Sequence, residues 1–132
     1  MSTIEQVFAL QRAHQWEMKA TTAGQRKQKL LKLKAAVAAH AEDVVAAVKQ
    51  DTRKPEQEIR VTEILNVLGN IDRNVANLDE WMQPVEVQTS LNKNDTARII
   101  HEARGVCLIL GPWNFPMGLV LGPLAAAIAA GN

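Results

Sequence analysis

Apolar residues recur every three or four positions up to Pro84, and the pattern changes abruptly beyond it. Ser2 and Glu5 have the spacing of a capping box, and Ile4, Val7, Phe8 and Leu10 follow at helical intervals. They predict a first helix from about Thr3 to Lys19. Thr21 to Gly24 interrupts it, and Thr22 with Gln25 forms a second capping-box pattern that opens another helix. Leu30, Leu33, Val37, Ala41, Val44 and Val48 then make one apolar stripe. His40 and the acidic pair Glu42 and Asp43 predict a break of that stripe into two shorter helices. After a loop from Asp51 to Pro55, Ile64, Leu68, Ile71, Val75, Leu78 and Trp81 form the clearest stripe. A helix from near Glu56 to near Met82 would be about 40 Å long at ~1.5 Å per residue. Gly69 inside it costs about 1 kcal/mol relative to alanine, and Pro84 stops it.

From Val85 the period shortens. Val85 to Gln88 alternates as a half-buried strand does. Ser90 to Asp95 is polar and predicts a turn, and Thr96 to Ala103 predicts a second strand. Gly105 to Leu110 is a short unbroken apolar run, the pattern of a strand buried on both faces of a parallel sheet. Gly111 to Pro116 holds two prolines and predicts a loop. Met117 to Ala130 predicts a helix apolar on every side, closed by Gly131. The expected organisation is therefore a helical segment over 1–84, a hairpin extension over 85–104 and the start of a βαβ unit over 105–132.

Composition narrows the partners. The chain has 132 residues, enough for one ordinary domain. Its net charge of +1 and the absence of tyrosine suggest no nucleic-acid partner. Cys107 is the only cysteine, so no internal disulfide forms, and a reducing, cytoplasmic compartment fits. The N-terminus lacks the basic and apolar regions of a signal peptide. Pro112, Pro116 and Pro123 break the apolar stretch from Gly105 to Gly131, which argues against a membrane span. The basic run Arg26, Lys27, Lys29, Lys32 and Lys34 is expected to be the solvated face of a helix. His14, His40 and His101 are isolated and have no metal-ligand spacing.

The strand, loop and helix from Val106 to Ala130 make up two parts of a βαβ unit, whose second strand is expected just after Asn132. The all-apolar helix has no visible partner. Either another chain supplies the remainder or the sequence is a fragment of a longer protein. A rival reading is a stand-alone helical interaction module without catalytic activity. The exposed apolar helix and open strand edges predict self-association of the chain alone.

The run Gly105-Val-Cys-Leu-Ile-Leu-Gly-Pro-Trp-Asn-Phe-Pro116, followed by Gly122-Pro123-Leu124 and by Ala126 to Asn132, resembles the aldehyde dehydrogenase superfamily. Thr22 to Leu33, Lys49 to Lys54 and Ile64 to Met82 are similar to members acting on fatty, aromatic or coniferyl-type aldehydes. The resemblance covers the whole chain and implies about the first quarter to third of a family member. It implies an α/β fold in which N-terminal helices lead into the first strand-loop-helix of a doubly wound parallel dinucleotide-binding sheet, incomplete at the C-terminus. It also implies oxidation of an aldehyde to a carboxylic acid with NAD or NADP. A cysteine thiolate would attack the aldehyde, hydride would pass to the cofactor, and a glutamate would activate the hydrolytic water. A homo-oligomer is implied too.

From the residues alone Asn114 reads first as a turn residue held by two prolines; by position in the motif, the resemblance implies that its amide donates to the oxyanion. Leu110, Gly111, Pro112 and Trp113 would line the nicotinamide side of the cofactor site. No Gly-x-Gly-x-x-Gly fingerprint is present. The family's nucleophilic cysteine, glutamate and adenosine-contacting lysine would all lie beyond Asn132. Cys107, inside the apolar run, is expected to be an inert buried thiol. The chain by itself is therefore predicted not to oxidise aldehydes. Assays of the purified chain with several aldehydes and either nicotinamide cofactor should show no turnover; turnover that persists in Cys107→Ser would contradict this.

Overall fold

The computed structural model describes residues 3–88 and 95–132. Helix α1 spans Ile4–Lys19 and is capped by Thr3, whose hydroxyl accepts from the Gln6 amide at 3.2 Å while Gln6 Oε1 accepts from Thr3 N at 2.9 Å. The capping box sits one residue later than the Ser2–Glu5 pattern suggests, because Thr3 is the last residue with extended backbone before the helix. Ser2 lies outside the described residues. The apolar positions of α1 point outward: the helix buries no side chain, and Ile4, Phe8 and Leu10 are exposed.

The Thr22–Gln25 capping box opens α2 (Ala23–Ala39) as predicted, and His40 separates it from α3 (Ala41–Thr52). His40 Nδ1 lies 3.2 Å from Asp43, and His14 Nδ1 lies 2.9 Å from Glu17, so each of these histidines faces an acid on its own helix or cap. The long third helix is a rod of three parts: α4 (Glu56–Ile59), a π-helical segment (Arg60–Leu65) and α5 (Asn66–Trp81). The wide π turn changes which side chains face inward. Ile59, Glu63, Ile64, Val67, Ile71, Asn74 and Leu78 are buried, whereas Leu68 and Val75 are only partly covered and Trp81 is 43% exposed. Arg60 joins this rod to α3: its guanidinium donates to both Glu42 carboxylate oxygens at 2.8 and 2.7 Å and to Glu56. Those hydrogen bonds hold the Glu42 carboxyl below the usual carboxylate range.

Val85–Val87 (β1) and Ala97–Ile99 (β2) form an antiparallel pair in which Glu86 lies opposite Arg98, 3.2 Å apart. The second strand is shorter than the predicted Thr96 to Ala103. The turn expected over Ser90 to Asp95 lies, apart from Asp95, outside the described residues.

The stretch from Val106 to Leu110 departs from expectation. No ladder pairs it among the described residues. A parallel strand needs a neighbouring strand for its N–H and C=O groups, and none of the described residues supplies one. Its outer side is consequently bare, with Leu108 and Leu110 exposed. Cys107 is exposed as well, not buried.

Helix α6 (Gly118–Ala130) does have partners within the chain. It lies on α2 and α5 and adds Ala125 and Ala129 to a core built from Leu30, Val37, Val45, Val48, Ile59, Ile64, Val67, Ile71 and Leu78. Small residues on that face let it approach two helices at once, while its other faces keep their apolar side chains. The basic run on α2 is likewise not simply solvated. Lys27 pairs with Asp79 and Lys34 with Asp72, both on α5.

Arg26 is buried. Its guanidinium donates to the Ala129 carbonyl at 3.1 Å, to the Lys19 carbonyl at 3.1 Å and to the Thr21 hydroxyl at 2.9 Å. It thereby ties the C-terminal ends of α1 and α6 to the start of α2. Burial pushes this guanidinium below the usual arginine range. Gly131 closes α6 in the left-handed region at φ 85°, and a side chain there would collide with the Arg26 guanidinium.

The core and the outward face of α1 should respond differently to truncation. Ile71→Ala should cost about 2–5 kcal/mol, whereas Phe8→Ala should stay within about 0.5 kcal/mol. Urea denaturation of both variants checks this, and similar losses would mean that α1 packs as part of the core.

Candidate active site

The loop from Gly111 to Met117 lies between the unpaired Val106–Leu110 stretch and α6, and it is held from both ends. At its N-terminal side Lys54 reaches across. Arg53 takes the left-handed conformation at φ 58° to end α3, which turns the chain so that Lys54 Nζ donates to the Asn114 carbonyl. The same ammonium sits 3.5 Å from the centroid of the Phe115 ring, a cation–π contact.

At the other side the loop is anchored by Glu63. Its side chain is fully buried, and Oε2 accepts from Met117 N at 3.1 Å and from Gly118 N at 2.6 Å. These are the free N–H groups at the start of α6, where a carboxyl group suits the positive end of the helix dipole. The other oxygen, Oε1, is buried with no hydrogen-bond partner among the described residues. Gly118 permits the approach: a Cβ there would stand 3.1 Å from the Thr62 carbonyl and 3.3 Å from Glu63 Oε2.

The loop borders two hollows. One, of about 330 Å³, is lined by Asp51, Thr52, Lys54, Trp113, Asn114 and Phe115. The other, of about 540 Å³, lies on the far side of Phe115 beside Val61, Thr62, Asn66, Gly118 and Leu119. Asn114 is exposed, and its side-chain amide has no hydrogen-bond partner among the described residues. Its backbone is fixed through the carbonyl while its amide is left free. Of the other residues singled out in the sequence, Leu110, Gly111, Pro112 and Trp113 are all exposed and follow one another into this loop. The backbone at Gly111 passes against the Val120 side chain.

The arrangement offers a neutral hydrogen-bond donor on a clamped loop beside an indole. Among the described residues it offers no activated nucleophile. The Cys107 thiol has one polar contact, the Gly105 carbonyl at 3.7 Å, and no base or cation touches it. Nor does any cluster of three His, Cys, Asp or Glu side chains among the described residues suit a metal ion. No helix of the described residues is long and apolar enough to cross a membrane.

The profile of the aldehyde dehydrogenase family matches residues 2–132. The chain belongs to the aldehyde dehydrogenase family. It is 43% identical over 129 residues to the putative aldehyde dehydrogenase AldX of Bacillus subtilis, a match that covers 98% of this chain and 29% of that protein. It is 34% identical over 134 residues to the dimeric NADP-preferring aldehyde dehydrogenase of Canis lupus familiaris, covering all of this chain and 29% of the dog protein. The structure superposes with a TM-score of 0.93 on AldH of Staphylococcus aureus, solved in a substrate-bound state, at 34% identity and over 29% of that chain. The chain thus spans about 29% of the length of these relatives.

Glu63 carries no expectation from the sequence, and Arg26, expected on a solvated helix face, is buried instead. A signal for both exists. Ile59, Glu63, Val67 and Ile71 step by four along one row, and Arg26 precedes Leu30 by four, so each charge occupies a position in an apolar row. A charged residue in such a row must be paired internally or forgo burial.

Proposed function

We propose that this chain forms the N-terminal part of an NAD(P)-dependent aldehyde dehydrogenase that oxidises an aldehyde to a carboxylic acid, with Asn114 as an oxyanion donor. The observation that carries this reading is the free, exposed amide of Asn114 on a loop fastened at the Asn114 carbonyl and at the Met117 and Gly118 amides. When the aldehyde carbon becomes tetrahedral its oxygen gains negative charge. A preorganised amide N–H aimed at that oxygen stabilises the charge without giving up a proton. Lys54 keeps the donor in place by holding the neighbouring carbonyl.

The residues present fit one end of the cofactor. Leu110 and Trp113 expose flat or apolar surface in sequence with Asn114, suited to the face of a nicotinamide ring. When bound, the nicotinamide supplies the hydride acceptor. In this reading Leu110, Gly111, Pro112 and Trp113 shape the ring's side of the site, exclude water from it and set its distance from Asn114. The phosphates and the adenosine end would be held by other residues, as would the nucleophilic thiolate and the general base. The 132-residue chain alone would therefore be inactive. The compartment would be the cytoplasm. The likeness to a dimeric NADP-preferring relative supports a homo-oligomer and a nicotinamide cofactor, and resemblance over Thr22 to Leu33, Lys49 to Lys54 and Ile64 to Met82 supports a fatty, aromatic or coniferyl-type aldehyde as substrate.

Asn114→Ala in an enzyme of the relatives' full length carrying this chain should lower kcat by ~10²–10³. Cofactor affinity and melting temperature should stay near wild type. Steady-state kinetics and a cofactor titration check this, and an unchanged single-turnover rate of hydride transfer would return Asn114 to a turn residue.

A further inference from the structure

We infer that Glu63 is a positioning residue for Asn114: by receiving the Met117 and Gly118 amides it fixes the end of the loop on which Asn114 stands. The inference rests on the oxyanion reading of Asn114. Three independent features single Glu63 out. It is a carboxyl side chain with no exposed surface in a row otherwise filled by Ile59, Val67 and Ile71. It lies in the π-helical segment Arg60–Leu65, an irregular turn uncommon inside helices and enriched at functional sites. One of its oxygens forms two hydrogen bonds to the loop–helix junction while the other has no partner among the described residues.

A buried carboxyl group with an unmatched oxygen is an expensive way to secure a helix end, since an exposed Ser, Thr or Asp cap satisfies the same N–H groups with little desolvation. What Glu63 adds is rigidity from the side of the core. The π turn widens the helix where Glu63 projects, and a Cβ at residue 118 would crowd the Thr62 carbonyl and Glu63 Oε2 at 3.1 and 3.3 Å. The junction is therefore referenced to the core and not to solvent. Lys54 fixes the carbonyl of Asn114 from outside, and Glu63 fixes the chain three and four residues later from inside. The backbone that carries the Asn114 side chain has little freedom to drift.

Length matters more than charge in this role. Glu63→Asp keeps the acid but withdraws it by one methylene, out of reach of the two amides. Glu63→Gln keeps an oxygen acceptor at full reach and removes the acid. In an enzyme of the relatives' full length carrying this chain, Glu63→Asp should lower kcat by about 10–100-fold, the scale set by a misplacement of ~1 Å. KM should change less than about twofold, and Glu63→Gln should keep kcat within about threefold of wild type. In an Asn114→Ala background, Glu63→Asp should lower kcat by no more than about twofold further, because the donor it positions is gone. The reverse order, with Asp active and Gln impaired, would overturn the inference, as would losses that simply multiply with Asn114→Ala. Asn114→Ala losing activity while Glu63→Asp stays fully active would remove Glu63 alone and leave the oxyanion reading standing. An Asn114→Ala enzyme of undiminished kcat would remove both. Should Glu63→Asp not fold, amide exchange in Glu63→Gln decides: slow exchange at Met117 and Gly118 with retained kcat supports the role, and fast exchange with retained kcat overturns it.

Discussion

Helix α6 carries no charged residue, and yet its two ends are each met by a buried ionisable side chain of suitable sign. Glu63 accepts from the amides at its start, and Arg26 donates to the Ala129 carbonyl near its end. The helix dipole favours an acid at the first position and a base at the second. Both side chains come from the helices against which α6 packs, so the same contacts that bury its apolar face also satisfy its polar ends. An all-apolar helix could otherwise slide or rotate along α2 and α5 at little cost, since one apolar contact replaces another. The two polar ends remove that freedom, because displacing either leaves a buried charged or polar group without its partner, at about 1–3 kcal/mol or more.

The loop carrying Asn114 inherits its position from this arrangement. Glu63 fixes the last residues of the loop and the start of α6, while Lys54 fixes Asn114 itself. The position of this loop thus depends on secondary structure at one remove: helix α3 ends where it sends out Lys54, the π turn sends in Glu63, and the loop is strung between them. Trp113 and Asn114 stay exposed beside backbone groups that Lys54 and Glu63 hold.

Much of this was legible from the chain's pattern. The second capping box, the break at His40, the end at Pro84 and the left-handed Gly131 follow from local rules, and local rules act within a few residues. What the pattern concealed was long-range. The partners of α6 are far away in sequence, so an all-apolar helix looked unpartnered. Arg26 read as one more cation of a solvated run because its three acceptors come from different elements. Glu63 stands in the buried row of Ile59, Val67 and Ile71, but its partners, the Met117 and Gly118 amides, lie more than fifty residues further along the chain. The Val106–Leu110 run has strand composition without, among the described residues, a strand to pair with. The Asn114 motif stood out by resemblance, but the clamps that give it a fixed position did not, since neither Lys54 nor Glu63 lies next to it in sequence.

The claim on which the rest depends is that buried polar contacts, and not apolar packing alone, hold α6 in register. Site-resolved hydrogen exchange on the chain with Arg26→Met tests it most directly, since methionine keeps apolar bulk and removes the donors. Faster exchange is expected at the amides of the last turns of α6, around Ile128 to Gly131, with the amides around Ile71 in α5 unchanged. Unaltered exchange throughout α6 would show that apolar packing suffices, and would contradict it.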